Sequence, residues 1–129
     1  HMKKFHTRDG MGVTLLRKED IPTIIITKEK TIMVKKWAKK MKIAELYDGV
    51  IDKELILMKI CKKYKVSSSE IAYIGDDVND IRLLKKVGYS ISPKDGVKQV
   101  REIVDYVCKK NGGEGVLREI VDMMLNIKP

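Results

Sequence analysis

No apolar run in the 129 residues approaches the roughly 18–20 residues that a bilayer-spanning helix needs, and no leader-peptide pattern opens the chain. A membrane is therefore not an expected partner. Aromatic residues are few, with one Trp, five Tyr and one Phe, and nucleic-acid binders lean on stacking aromatics and clustered arginine. The net charge of +9 comes instead mostly from lysines spread along helix faces, as in Lys35-Lys36 and Lys39-Lys40. Nucleic acid is not an expected partner either. A basic surface does draw phosphorylated, acidic metabolites, and many lysines with few Asn and Gln suit a heat-adapted surface.

Cysteine is nearly absent. Cys61 and Cys108 lie far apart, in no metal-ligand spacing, each next to an apolar residue. Two buried free thiols in a reducing, cytoplasmic setting are expected rather than a bridge. Repeats and low-complexity linkers are lacking too. The opening His1-Met2 has the look of a vector remnant, although Met2 also suits a native start, and residues 3–129 are expected to form one domain.

What is present is alternation of strand and helix. Asp9 is placed to cap a short helix over 11–18 carrying Met11, Val13, Leu15 and Leu16. After Pro22, the run Thr23-Ile24-Ile25-Ile26-Thr27 is β-branched throughout and predicts a buried parallel strand. A lysine-faced helix follows over 31–41, with Ile32, Met33, Val34, Trp37, Ala38 and Met41. A brief strand over 44–47 leads to Asp52, a cap for a helix over 53–65 whose Leu55, Ile56, Met58, Ile60 and Cys61 are expected in the core. Ser67 and Glu70 have capping-box spacing. A second strong strand, 71–74, runs into Gly75-Asp76-Asp77, and a helix over 78–86 is expected to end on Gly88 as a left-handed cap. Strands over 89–92 and 105–108, a small helix over 96–103 and a closing helix to about Asn126 complete the chain. The pattern predicts an α/β fold: a mostly parallel sheet with helices on both faces.

In such sheets chemistry collects at the carboxyl ends of strands. Thr27 closes the triple-isoleucine strand, Lys53 opens the helix after the short strand, and Asp76 closes the second strong strand. Asp77, Asn79 and Asp80 follow within one turn. Crowding such groups is costly unless a cation or hydrogen bonds neutralise them. Magnesium is the natural cation, because it takes one or two carboxylates with water and phosphate. Each residue also has an ordinary explanation. Thr27 suits any strand end, and Lys53 could be a solvated first-turn lysine, though one that opposes the helix dipole. The 75–80 run could be a turn and cap, but a turn needs one such residue rather than four.

Together these residues resemble motifs two, three and four of the haloacid dehalogenase superfamily phosphatases: Thr27 after three isoleucines, Lys53 in GVIDK at 49–53, and GDDVND at 75–80. The stretches KKFHTRDGMGVTLL at 3–16, VGYSI at 87–91 and NGGEGVLREI at 111–120 are similar to 3-deoxy-D-manno-octulosonate 8-phosphate phosphatases. They are equally similar to the related module that ends some CMP-sialic acid synthetases. The resemblance implies a Rossmann-like core and a magnesium-dependent phosphomonoester hydrolase acting on a small phosphorylated sugar acid. Thr27 would hydrogen-bond the phosphoryl group, and Lys53 would neutralise it and orient the nucleophile. Asp76 would bind Mg2+, while Asp77, Asn79 and Asp80 organise the loop and Lys53. Arg8, Asp9 and Gly10 match a stretch close to substrate, and Arg118 matches an arginine of the Gly-rich tail. A homo-oligomer is also implied.

Two departures stand against the pattern. Lys28-Glu29-Lys30 follows Thr27 where the family has Gly-Arg, and the first motif, an apolar strand ending in Asp-x-Asp-Gly, is missing. The residues as given are thus expected to lack the family's usual first central strand and its attacking carboxylate. The expectation divides between an enzyme inactive in this form and a degenerate, non-catalytic module for binding or assembly. With the central strand missing, strands 23–27 and 71–75 are expected to pair directly or to accept an exchanged strand, since buried unpaired backbone groups cost about 1–3 kcal/mol each.

Overall fold

The computed structural model describes residues 7–126, with Thr7, Arg8 and Asp9 described in backbone alone. The chain falls into two compact units. One joins the chain up to Ile51 with the part from Gly113 onward, and the other is the single stretch Asp52–Gly112.

In the first unit, helix α1 spans Thr7–Lys18, strand β1 Ile24–Ile26, helix α2 Ile32–Lys40, strand β2 Glu45–Tyr47 and helix α6 Val116–Met124. Three consecutive isoleucines make β1 because branching at Cβ suits the extended, half-covered surface of a sheet. It pairs in parallel with β2, Ile24 opposite Glu45 and Ile26 opposite Tyr47. Thr31 caps α2 by accepting from the Val34 N–H at 3.2 Å, and Lys39 and Lys40 sit in its last turn, where the dipole favours cations. Helix α1 packs on α6. Gly12 permits this, since a Cβ there would press on the Arg118 backbone and Leu117. Buried side chains include Val13, Leu16, Val34, Ala38, Val116, Ile120 and Val121.

The second unit holds helix α3 at Lys53–Tyr64, strand β3 at Ala72–Ile74, helix α4 at Ile81–Lys86 and strand β4 at Tyr89–Ser92. Helix α5 at Lys98–Arg101 and strand β5 at Tyr106–Val107 follow. The strand order is β3-β4-β5, all parallel. Leu57, Ile60, Leu83, Leu84, Ile91, Val100 and Cys108 are buried. The fold class is α/β with parallel strands, as the alternation of elements predicts.

Several particulars differ from expectation. Helix α1 already includes Thr7, so Asp9 lies inside it and does not cap it. In α3 the buried stripe runs through Leu57 and Ile60, while Leu55 and Met58 are 56% and 67% exposed and Ile56 and Cys61 are half-buried. Residues on a helix share a face at spacings of three and four. Apolar side chains occupy two such series here, and packing selects the series containing Leu57. On α2, Val34 and Ala38 are buried while Ile32 and Met33 face outward. The expected helix over 78–86 divides into a 3₁₀ turn at Val78–Asp80 and α4. Gly88 is not left-handed; the positive-φ glycines are Gly49, Gly113 and Gly115. Gly88 is required by close approach, because an added Cβ would collide with the Ser69 carbonyl, and its own N–H donates to Ser68 O and Ile71 O at 2.9 and 3.0 Å. Both cysteines are free, but Cys61 is only half-buried.

Strands β1 and β3 do not pair with each other. They belong to two separate sheets, β1 bonded to β2 and β3 to β4. The expectation of direct closure assumed dry interior strands. Ile24, Ile25 and Ile26 are all only half-buried, and Ala72 is exposed. Edge groups that reach water escape the penalty that would force closure.

Candidate active site

The richest polar cluster lies in the second unit, at the carboxyl end of β3. Asp52 starts α3 by accepting from the Glu54 and Leu55 N–H groups at 3.0 and 3.4 Å, which makes Lys53 the first helical residue. The Lys53 Nζ donates to Asp80 Oδ1 at 2.6 Å. The Tyr73 hydroxyl on β3 donates to the same oxygen, also at 2.6 Å. The other oxygen, Oδ2, accepts from the Asp76 and Asp77 backbone N–H groups at 3.0 and 3.2 Å. A carboxylate offers about four acceptor positions, and all are taken.

Gly75 allows this fold-back. A Cβ at Gly75 would stand 2.6 Å from the Asp80 Cβ, so any side chain there would push Asp80 off the strand end. Asp77 closes the loop by accepting from the Val78 N–H at 2.7 Å, and the Asp76 carbonyl accepts from Val97 N at 2.9 Å. The loop is thereby anchored at both ends. Asp76, Asp77 and Asn79 are exposed, whereas the Lys53 and Asp80 side chains are only 13% and 3% exposed.

Burial alone would raise the Asp80 pKa. The hydrogen bonds from Lys53 and Tyr73, the Lys53 charge and the Asp77 N–H outweigh it, and Asp80 is held below its ordinary value. Tyr73 moves the opposite way. Burial first, then the charge and hydrogen bond of Asp80 and the charge of Asp76, push its phenol well above 10.0. The cluster is an ion pair with a neutral phenol as third member.

Tyr73 was not a candidate from sequence. A signal existed, because residues two apart on a strand share a face. Tyr73 shares that face with Gly75, the residue over which Asp80 folds.

The remaining candidates, Thr27, Gly10, Arg118, Arg8 and Asp9, belong to the first unit. Thr27 is buried, and its Oγ1 accepts from the Glu29 N–H at 3.1 Å. Its backbone is held by Thr27 N donating to Tyr47 O and Val50 N donating to Thr27 O. Lys28 and Glu29 thus form a turn around the Thr27 hydroxyl. Gly10 is buried in α1, where a Cβ would strike the Met41 sulfur; this accounts for glycine by packing. Arg118 donates from Nε to Asp122 Oδ1 at 2.7 Å, an ion pair one turn along α6. The side chains of Arg8 and Asp9 lie outside the described residues.

Among the described residues, no three of His, Cys, Asp or Glu gather around a common metal position. Asp80 is saturated, and Asp77 Oδ1 is engaged by Val78. The exposed Asp76 carboxylate at the strand end suits magnesium, which keeps waters and needs only one or two protein carboxylates beside phosphate. The donor set fits such an ion as a partial site.

A family profile for haloacid dehalogenase-like hydrolases matches residues 13–120. The chain is 32% identical over 124 residues to the 3-deoxy-D-manno-octulosonate 8-phosphate phosphatase of Escherichia coli strain K12, covering 96% of this chain. It spans 66% of the length of that relative. Among solved structures, the corresponding phosphatase from Yersinia pestis superimposes with a TM-score of 0.93 at 31% identity, covering 97% of this chain and 68% of that one. The phosphatase from Moraxella catarrhalis, solved with a magnesium ion, a phosphate ion and a KDO molecule, superimposes with a TM-score of 0.92 at 35% identity. The match covers 97% of this chain and 72% of that one. The sequence match and the superposition agree along nearly the whole length, and the clasp of Lys53 and Asp80 at the end of β3 stands on that shared scaffold: this chain belongs to the haloacid dehalogenase-like hydrolases.

Proposed function

We propose that these residues carry the phosphate- and metal-holding part of a magnesium-dependent phosphomonoester hydrolase whose substrate is a small phosphorylated sugar acid. The observation that carries the reading is the Lys53 ammonium, fixed on Asp80 at 2.6 Å beside the exposed Asp76 loop. A held cation is what a transferring phosphoryl group requires, because its charge is spread over three oxygens. Lys53 neutralises that charge, and Asp80, with Asp77 and Asn79, keeps the loop and the lysine in place. Thr27 donates a hydrogen bond to the phosphoryl group. Asp76 would hold magnesium, which when bound supplies further neutralisation of the phosphate oxygens. Arg8, Asp9, Gly10 and Arg118 are assigned to the substrate side. The sugar-acid class follows from the phosphatases this chain resembles.

The sequence contains no Asp-x-Asp pair, so these residues by themselves bind phosphate without attacking it. The test is phosphate release from 3-deoxy-D-manno-octulosonate 8-phosphate with magnesium. It compares the 129 residues with the same residues preceded by an apolar strand ending in Asp-x-Asp-Gly. Release is expected only from the second, and is lost in Lys53→Ala. Release from the first that disappears in Asp76→Ala would overturn the missing-nucleophile reading. Hydrolysis of aryl phosphate by the second, but never of the sugar acid, would overturn the substrate class.

A second reading, a non-catalytic module for binding or homo-oligomer assembly, draws on the same missing pair and on apolar side chains turned outward, Ile32, Met33 and the fully exposed Ile51. Light scattering decides its assembly half, with self-association expected.

A further inference from the structure

The Lys53–Asp80 pair contains a third member that family likeness does not assign. Asp80 Oδ2 is filled by two backbone N–H groups, so only Oδ1 is left to hold Lys53. An oxygen of this kind accepts in two directions. The Tyr73 hydroxyl takes one at 2.6 Å and Lys53 takes the other at 2.6 Å. Lys53 Nζ lies 3.4 Å from the Tyr73 oxygen, a long contact, because the phenolic hydrogen points at Asp80 and the two donors sit side by side on one oxygen. The three polar atoms close a triangle.

We propose that Tyr73 is a positioning residue for Lys53, holding the ammonium to one side of Asp80 Oδ1 so that its remaining hydrogens are turned to the ligand. This rests on the phosphate reading given above. The phenol occupies one acceptor direction of Oδ1 and leaves the ammonium the other, which limits where its remaining hydrogens can point. Without the phenol, the open side of Oδ1 lets the ammonium swing around it, on a flexible four-carbon stem. Tyr73 does this without adding charge, because burial and the Asp80 carboxylate keep its proton on. Its hydrogen bond also draws on the Asp80 charge, leaving more of the ammonium's field for an anion. A displaced cation is costly in phosphoryl chemistry, since an error of about 1 Å in placement can lower a rate about a hundredfold.

The test uses the full chain with 15N-labelled lysine and reads the Lys53 ammonium by NMR, with inorganic phosphate as the probe. Tyr73→Phe retains the ring and removes the hydroxyl. Ile74→Val loosens the same strand and leaves the hydroxyl in place. Hydrogen exchange at the Lys53 ammonium is expected to rise several-fold in Tyr73→Phe and to stay at its wild-type rate in Ile74→Val. The phosphate-induced shift of the Lys53 signal is expected to need several-fold more phosphate in Tyr73→Phe alone. Equal effects of the two substitutions, or an unchanged Lys53 signal in Tyr73→Phe, would overturn the proposal. If phosphate moves no Lys53 signal even in the wild type, the phosphate reading fails, while faster exchange in Tyr73→Phe still identifies the phenol as what holds the ammonium.

Discussion

Lys53 and Asp80 meet at 2.6 Å although 27 residues separate them. One is the first residue of a helix and the other ends a 3₁₀ turn, so the pair ties the opening of the second unit to the loop after β3. Removing one partner of a buried pair strands the other charge, and typically costs about 3–5 kcal/mol. Asp80→Ala also deprives two backbone N–H groups of their acceptor. Against a domain stability of about 5–15 kcal/mol, it is expected to leave the protein near the edge of folding, as urea denaturation will measure. Asp80→Asn, which keeps an acceptor oxygen, is expected to cost less.

The same carboxylate makes stability depend on acidity. Asp80 is held below its ordinary value of 3.8, so the unfolded chain takes up its proton before the folded chain does. Its contribution is complete above 3.8 and fades as the pH falls through the lower, folded value. The stability gap between wild type and Asp80→Asn is therefore expected to be constant near neutrality and to close in acid. A gap that stays constant into strong acid would contradict the assignment.

Much of the architecture is legible in residue order, because it rests on local chemistry. Ile24-Ile25-Ile26 can hardly be anything but a strand, and Asp52 and Thr31 cap the helices they precede. What escapes sequence reading is set by contacts made at a distance. Leu55 and Leu57 are equally apolar, and only the packing surface decides that Leu57 is buried. The Gly88 position reads as a helix cap, yet its glycine answers to the Ser69 carbonyl nineteen residues back. Tyr73 looks like a strand aromatic until Asp80 folds back over Gly75.

Gly88 gives a test of that distinction. A left-handed site tolerates Asn better than Ala, whereas a site closed by a backbone carbonyl rejects both. Gly88→Ala is expected to cost about 1–3 kcal/mol or more from overpacking. Gly88→Asn is expected to be no better, by urea denaturation of the two variants side by side.

Magnesium binding by these residues is expected to be millimolar or weaker, because Asp76 is the exposed carboxylate at the strand end and Asp80 is committed to its four donors. Calorimetric titration should show weak heats that vanish in Asp76→Ala. Micromolar affinity would contradict this account of the donor set.

Successive N–H groups on a strand point to opposite edges. Thr27 N bonds to Tyr47 O at 2.9 Å and Gly75 N to Ile91 O at 3.0 Å, so the amides of Ile26 and Ile74 face the other edge of each sheet. Hydrogen exchange is expected to be slow at Thr27 and Gly75 and fast at Ile26 and Ile74. Protection at all four, appearing with protein concentration, would instead reveal a strand exchanged between chains.

The packing of α1 on α6 has a consequence for how the chain can be cut. The second unit is one uninterrupted stretch, Asp52–Gly112, and its three strands bond to one another. The first unit is assembled from two stretches, one on each side of it. Cleavage after Gly112 therefore takes from α1 the helix it packs on, while the stretch that carries the Lys53–Asp80 clasp stays in one piece.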